Sequence, residues 1–149
     1  MKLFMLGIFV VVCAQVLILL INWMLNFFGF TLKTNISADL FWYAVTLAPM
    51  VETFLFLTVP AFIASILSIR TVYFIVPATI IFSMAHWDGR YGWDVPVMAL
   101  IAGVAFSYVY LQTLSMNKWY GGYVYTSITH AMFNLASFII WKLTAGSAV

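Results

Sequence analysis

Formal charges are scarce in this chain, and where they fall decides what it can fold into. No side chain from Leu3 to Phe28 carries one, and the pattern repeats downstream as long apolar runs separated by short clusters that hold nearly every Lys, Arg and Asp. Helices that cross a hydrocarbon layer of ~30 Å need about 20 such residues, and charges are expelled to their ends. Five candidate spans result, at about 3–28, 40–69, 71–87, 95–116 and 121–141, the third being short. The connections are brief and rich in Trp and Tyr, which prefer the membrane–water interface. Composition agrees: 66% hydrophobic and 7% charged residues with a mean hydropathy of +1.11 are outside the range of a soluble domain. Strand-type alternation is absent, which argues against a barrel. The expected fold is therefore all-α, a polytopic bundle of about five transmembrane helices forming one domain over residues 1–149. The first helix is expected at the periphery, and residues 40–141 carry the core.

Several function classes drop out. A net charge of +2, scattered along the chain, gives no footprint for nucleic acid. Cys13 is the only cysteine, so neither an internal disulfide nor a thiolate metal site can form. Lys2 followed by an apolar run resembles a secretory signal, but the run far exceeds the ~7–15 residues of a signal's apolar region. Val12, just before Cys13, is not the small residue that lipoprotein cleavage needs. A retained helix is expected. Asn35-Ile36-Ser37 matches a glycosylation sequon, a pattern that arises often by chance. With five spans, Lys2, Arg70 and Lys118 lie on one side and Lys33, Arg90 and Lys142 on the other, so the basic residues fix no sidedness. The expected localisation is integral and multi-pass.

One charge breaks the pattern. Glu52, the only glutamate, lies well inside the second span in "TLAPMVETFLFL" with no basic residue in that span. An acid near the bilayer centre costs on the order of 2.5–3.5 kcal/mol and usually faces a polar interior. Pro49, three residues earlier, cannot donate to the helix ladder and should loosen the backbone near Val45. The chain has only two histidines: His86, closing the third span in "IFSMAHW", and His130, near the middle of the fifth in "SITHAMFNLAS". Asn134, at i+4 from His130, projects from the same helix face. Gln15, Asn22, Asn26 and Gln112 lie in other spans and form no comparable pair.

Each of these residues has a plain structural reading when taken singly. His130 and Asn134 serve equally as interhelical glue, worth about 0.6 kcal/mol per bond on average. His86 fits an interface position beside Trp87 and Asp88, and Phe82 is one of 14 phenylalanines. Glu52 reads as functional, with proton or ion movement as open as catalysis.

Together the residues carry a likeness. Glutamate after Ala-Pro ("APMVETFLFL"), then Phe-x-x-x-His ("FSMAH"), then His-x-x-x-Asn ("HAMFN"), each in its own apolar span, resembles the intramembrane protease family that includes type II CAAX prenyl endopeptidases and bacteriocin-processing or abortive-infection proteins. The resemblance covers residues 48–134. Where that family has Glu-Glu-x-x-x-Arg, this chain has Thr53 for the second acid and Leu57 for the arginine, so one charge of each sign is absent. The resemblance implies a metal-independent endopeptidase without cofactor, acting on a hydrophobic or membrane-anchored peptide. Glu52 with His86 would activate and orient a water, while His130 and Asn134 would donate to the oxyanion, each such donor being worth about 10²–10³ in rate.

Three alternatives stay open on the residues alone. Two histidines and a glutamate also form a familiar catalytic zinc set, though Glu52 would then be a ligand and no second glutamate remains as base. A non-catalytic membrane binding or immunity protein could keep the same pocket. A small proton or ion transporter could be built on Glu52 and the histidines.

Overall fold

A computed structural model describes residues 2–27, 41–87, 93–116 and 119–145. All regular structure among them is helical. The Asn35-Ile36-Ser37 sequon and the connections that hold Lys33, Asp39, Asp88, Arg90 and Lys118 lie outside the described residues.

Among the described residues there are five helices: α1 (Lys2–Phe27), α2 (Tyr43–Ile66), α3 (Val72–Ala85), α4 (Asp94–Met116) and α5 (Trp119–Ala145). Two of them, α2 over Tyr43–Ile66 and α4 over Val95–Ser115, are long and apolar enough to cross a membrane. Met5–Ile21 within α1 and Val72–Ala85 are apolar but shorter. At 1.5 Å per residue, α3 reaches only about 21 Å, and His86 closes it.

The second helix is not regular. Its α-helical turns are interrupted by two π turns, Tyr43–Leu47 and Phe54–Thr58, each followed two residues on by a proline, Pro49 and Pro60. A proline ring in an α-helix collides with the carbonyl four residues back. Widening the preceding turn by one residue relieves that collision, and π turns of this kind recur at functional sites. The helix ends in a Schellman closure: Ile69 N–H reaches Ala64 O and Ser68 N–H reaches Ser65 O, with Ser68 at φ 53° where glycine is more usual.

Packing centres on α5, which lies against α4, α1 and α2, while α3 packs on α4 and α2. The core is built from Ile75, Phe82, Phe106, Tyr110 and Phe133, with Ala61, Ala99 and Ala102 at helix contacts where small side chains permit close approach. The first helix is less peripheral than its place in the sequence suggests. Val11 and Ala14 belong to the core cluster, and buried Gln15 donates from Nε2 to the Phe133 carbonyl (3.1 Å) and to Ser137 Oγ (2.6 Å) on α5. Outer helix faces remain apolar: Phe9, Phe62, Ile81 and Val104 are each more than half exposed.

Candidate functional site

Glu52 lies on the short α-helical stretch Ala48–Thr53 between the two π turns of α2. Its Oε2 is 3.5 Å from His130 Nε2 and its Oε1 is 4.0 Å from His86 Nε2. The structure thus brings three of the four candidates together from three helices, as three motifs that looked independent in the sequence. Both separations are longer than a good hydrogen bond, and a polar gap of this length is the kind that a water bridges.

Each imidazole is held by a different device. His86 Nδ1 lies 2.8 Å from the Phe82 carbonyl, one turn back. A carbonyl only accepts, so Nδ1 carries the hydrogen and, in the neutral ring, the Nε2 lone pair faces Glu52. The Phe-x-x-x-His spacing acquires a physical reason: residue 82 supplies the carbonyl that orients residue 86. Its ring also packs against His86 at 4.5 Å and edge-on to His130 at 6.0 Å. His130, with its side chain 5% exposed, stacks on Phe106 of α4 at 4.1 Å and 29°. His86 is 33% exposed, so the site opens on its side.

Asn134 is placed differently. Its Nδ2 donates to the Ala44 carbonyl at 2.7 Å, tying α5 to the first π turn of α2. One of its two amide hydrogens is committed there, in the interhelical role.

Beside Glu52 is a small cavity whose walls include Thr53, Thr79, Phe82, Phe106 and His130, with about 10 Å³ open to the centre of a water molecule. That is the space one water needs. Two of these residues, Thr79 and Phe106, stand outside the three sequence motifs. Thr79 donates to the Ile75 carbonyl (2.9 Å) and pairs with Ser107 (2.7 Å) behind the cavity. Its position one turn before Phe82, on the face that carries Phe82 and His86, was the available signal. Phe106 had none, because stacking across helices leaves no local pattern. Thr53, next to Glu52, is buried with no hydrogen-bond partner on its hydroxyl.

Among the described residues no group of three His, Cys, Asp or Glu side chains has the arrangement of a metal site, Glu52 with its two histidines included. Comparison with protein-family models, with curated proteins and with solved structures found no match to this chain.

Proposed function

We propose that the chain crosses a lipid bilayer about five times and hydrolyses peptide bonds in hydrophobic or membrane-anchored substrates, as do the intramembrane glutamate proteases that its motifs resemble. The observation that carries this reading is the meeting of the only glutamate with the only two histidines, at 3.5 and 4.0 Å, in a chain that is 66% hydrophobic. Apolar outer faces support the membrane part, since the many large apolar side chains exposed on the bundle are what contact with lipid or a partner would cover. The helices with apolar stretches too short for the full thickness would rely on their ends and on local thinning of the bilayer.

The chemistry follows from the donors and acceptors. A water between the carboxylate and the imidazoles gives a proton to Glu52 while its oxygen attacks the substrate carbonyl carbon. His86, with Nδ1–H fixed on the Phe82 carbonyl, accepts the second water hydrogen at Nε2 and so orients the nucleophile. His130, in its Nε2–H tautomer, donates to the oxyanion. Collapse of the tetrahedral intermediate breaks the C–N bond, and the proton held by Glu52 passes to the departing amine. Phe56, Phe82 and Phe106 wall the water-sized cavity with apolar rings, which shields the nucleophile from bulk water.

Purified protein in detergent or liposomes, incubated with a set of hydrophobic peptides, tests this. Cleavage by the wild type that disappears in Glu52→Gln, with helical content unchanged, is the expected result. Cleavage that survives in Glu52→Gln refutes it. Loss with a chelator and recovery with zinc would transfer the chemistry to a metal.

A second reading has its own observation. The Asn134 amide is bound to Ala44 rather than turned toward the carboxylate, and Thr53 and Leu57 replace an acid and a base. These favour a membrane receptor or immunity-type protein that keeps the pocket without turnover. A biological effect that persists in Glu52→Gln, with no cleavage by either form, would favour it.

A further inference from the structure

Asn134 has a task set by the backbone of another helix. In a regular α-helix Pro49 would face the carbonyl of Val45, four residues back. The π turn at Tyr43–Leu47 changes that register: Ala48 N–H bonds to Tyr43 O, five residues back. In the same register the next donor is residue 49 and its acceptor is Ala44, but proline has no N–H. Ala44 O is therefore the carbonyl that the proline strands, and leaving such a group buried without a partner is disfavoured. Its partner is Asn134 Nδ2 on α5, at 2.7 Å.

The geometry points to Asn134 as a positioning residue that replaces the backbone donor Pro49 lacks, holding the first π turn of α2 against α5 and so fixing the direction in which Glu52 faces. A π turn adds one residue to the helix, which turns everything after it by about 100° relative to an uninterrupted α-helix. Glu52 follows that turn by less than two helical turns. With the extra residue in place its carboxylate meets both imidazoles; with the turn relaxed to α geometry it would face a different neighbour. Pro60 follows the second π turn in the same way, with Val59 N–H on Phe54 O, so the stretch that carries Glu52 is bounded by widened turns at both ends. This role does not depend on the chain being a hydrolase.

A double-mutant cycle reads it. Asn134→Ala and Pro49→Ala are made singly and together in the full chain, and unfolding is followed in detergent. In Pro49→Ala, the Ala44 carbonyl gains a backbone donor whether the turn stays π or returns to α, so Asn134 becomes dispensable for satisfying it. Asn134→Ala is expected to shift the unfolding equilibrium about tenfold in the wild-type background and less than about threefold beside Pro49→Ala. Equal effects in both backgrounds overturn the assignment, as does a double mutant that fails to fold when Asn134→Ala alone also fails. Positioning is read separately by the ring ¹⁵N signals of His86 and His130. Asn134→Leu, which keeps about the same size but has no donor, is expected to move both signals, and unmoved signals in a folded variant contradict the claim.

Discussion

Adding one methyl group at Gly103 is a sensitive way to disturb the site without touching a reacting atom. A Cβ there would lie 3.0 Å from Phe82 Cδ1 and 3.0 Å from Thr79 Cγ2, where carbons settle at about 3.5–4.0 Å. Neither neighbour is free to yield. Thr79 is held by the Ile75 carbonyl and by Ser107, and the buried Phe82 ring sits among Phe56, His86 and His130. Relief therefore requires Phe82 or Thr79 to give by a few tenths of an ångström within the group that orients both imidazoles. Overpacking of this kind costs about 1–3 kcal/mol, or roughly 5- to 150-fold in the unfolding constant. A misplacement of about 1 Å near reacting groups costs on the order of 10² in rate, so the smaller shift forced by Gly103→Ala should lower kcat severalfold on any peptide the wild type cleaves. Gly122→Ala is the control. Its Cβ would meet the Tyr110 ring at 3.2–3.4 Å, outside the Glu52 cavity, so it should lower stability and spare kcat. Thermal unfolding in detergent, paired with a cleavage assay, measures both. Gly103→Ala with wild-type stability and rate would show that the Phe82 cluster is not the rigid support described.

Other expectations concern polar groups in the bundle. Thr126 is fully buried with no partner for its hydroxyl, so Thr126→Val should be neutral or slightly stabilising, whereas Thr79→Val, which loses two bonds, should cost about 1 kcal/mol; comparison of their melting curves decides. Gln15→Leu removes both bonds between α1 and α5 and should destabilise by about 1–2 kcal/mol. Unchanged unfolding of that variant would return α1 to the periphery. Cleavage should persist in excess chelator, because the proposed steps use only Glu52 and the two imidazoles.

Legibility in the sequence followed the energetics of burial. Long runs without charge gave the helix pattern, and the high cost of an ionisable group among apolar side chains singled out Glu52, His86 and His130, which do converge. What escaped depends on geometry that a one-dimensional pattern does not carry. Gln15 looked solitary because its partners, Phe133 and Ser137, lie more than a hundred residues away. Pro49 marked the weak point of α2 near Val45, and the opened carbonyl is that of Ala44, one residue before the one a regular α-helix would strand, because the π turn moves the acceptor by one residue. The same shift explains why Asn134, paired with His130 by its i+4 spacing, also donates to the backbone of the neighbouring helix.

The chain permits an unusually clean test of the central claim. Glutamate occurs once and histidine twice, so protein labelled with ¹³C at glutamate and ¹⁵N at histidine holds only the carbon–nitrogen pairs in question. Solid-state dipolar recoupling in lipid should show the Glu52 carboxyl carbon dephased by ring nitrogens of both His130 and His86, as oxygen–nitrogen separations of 3.5 and 4.0 Å require. A carboxyl carbon that feels neither ring would mean that the acid faces elsewhere, and the shared-water site would be lost with it.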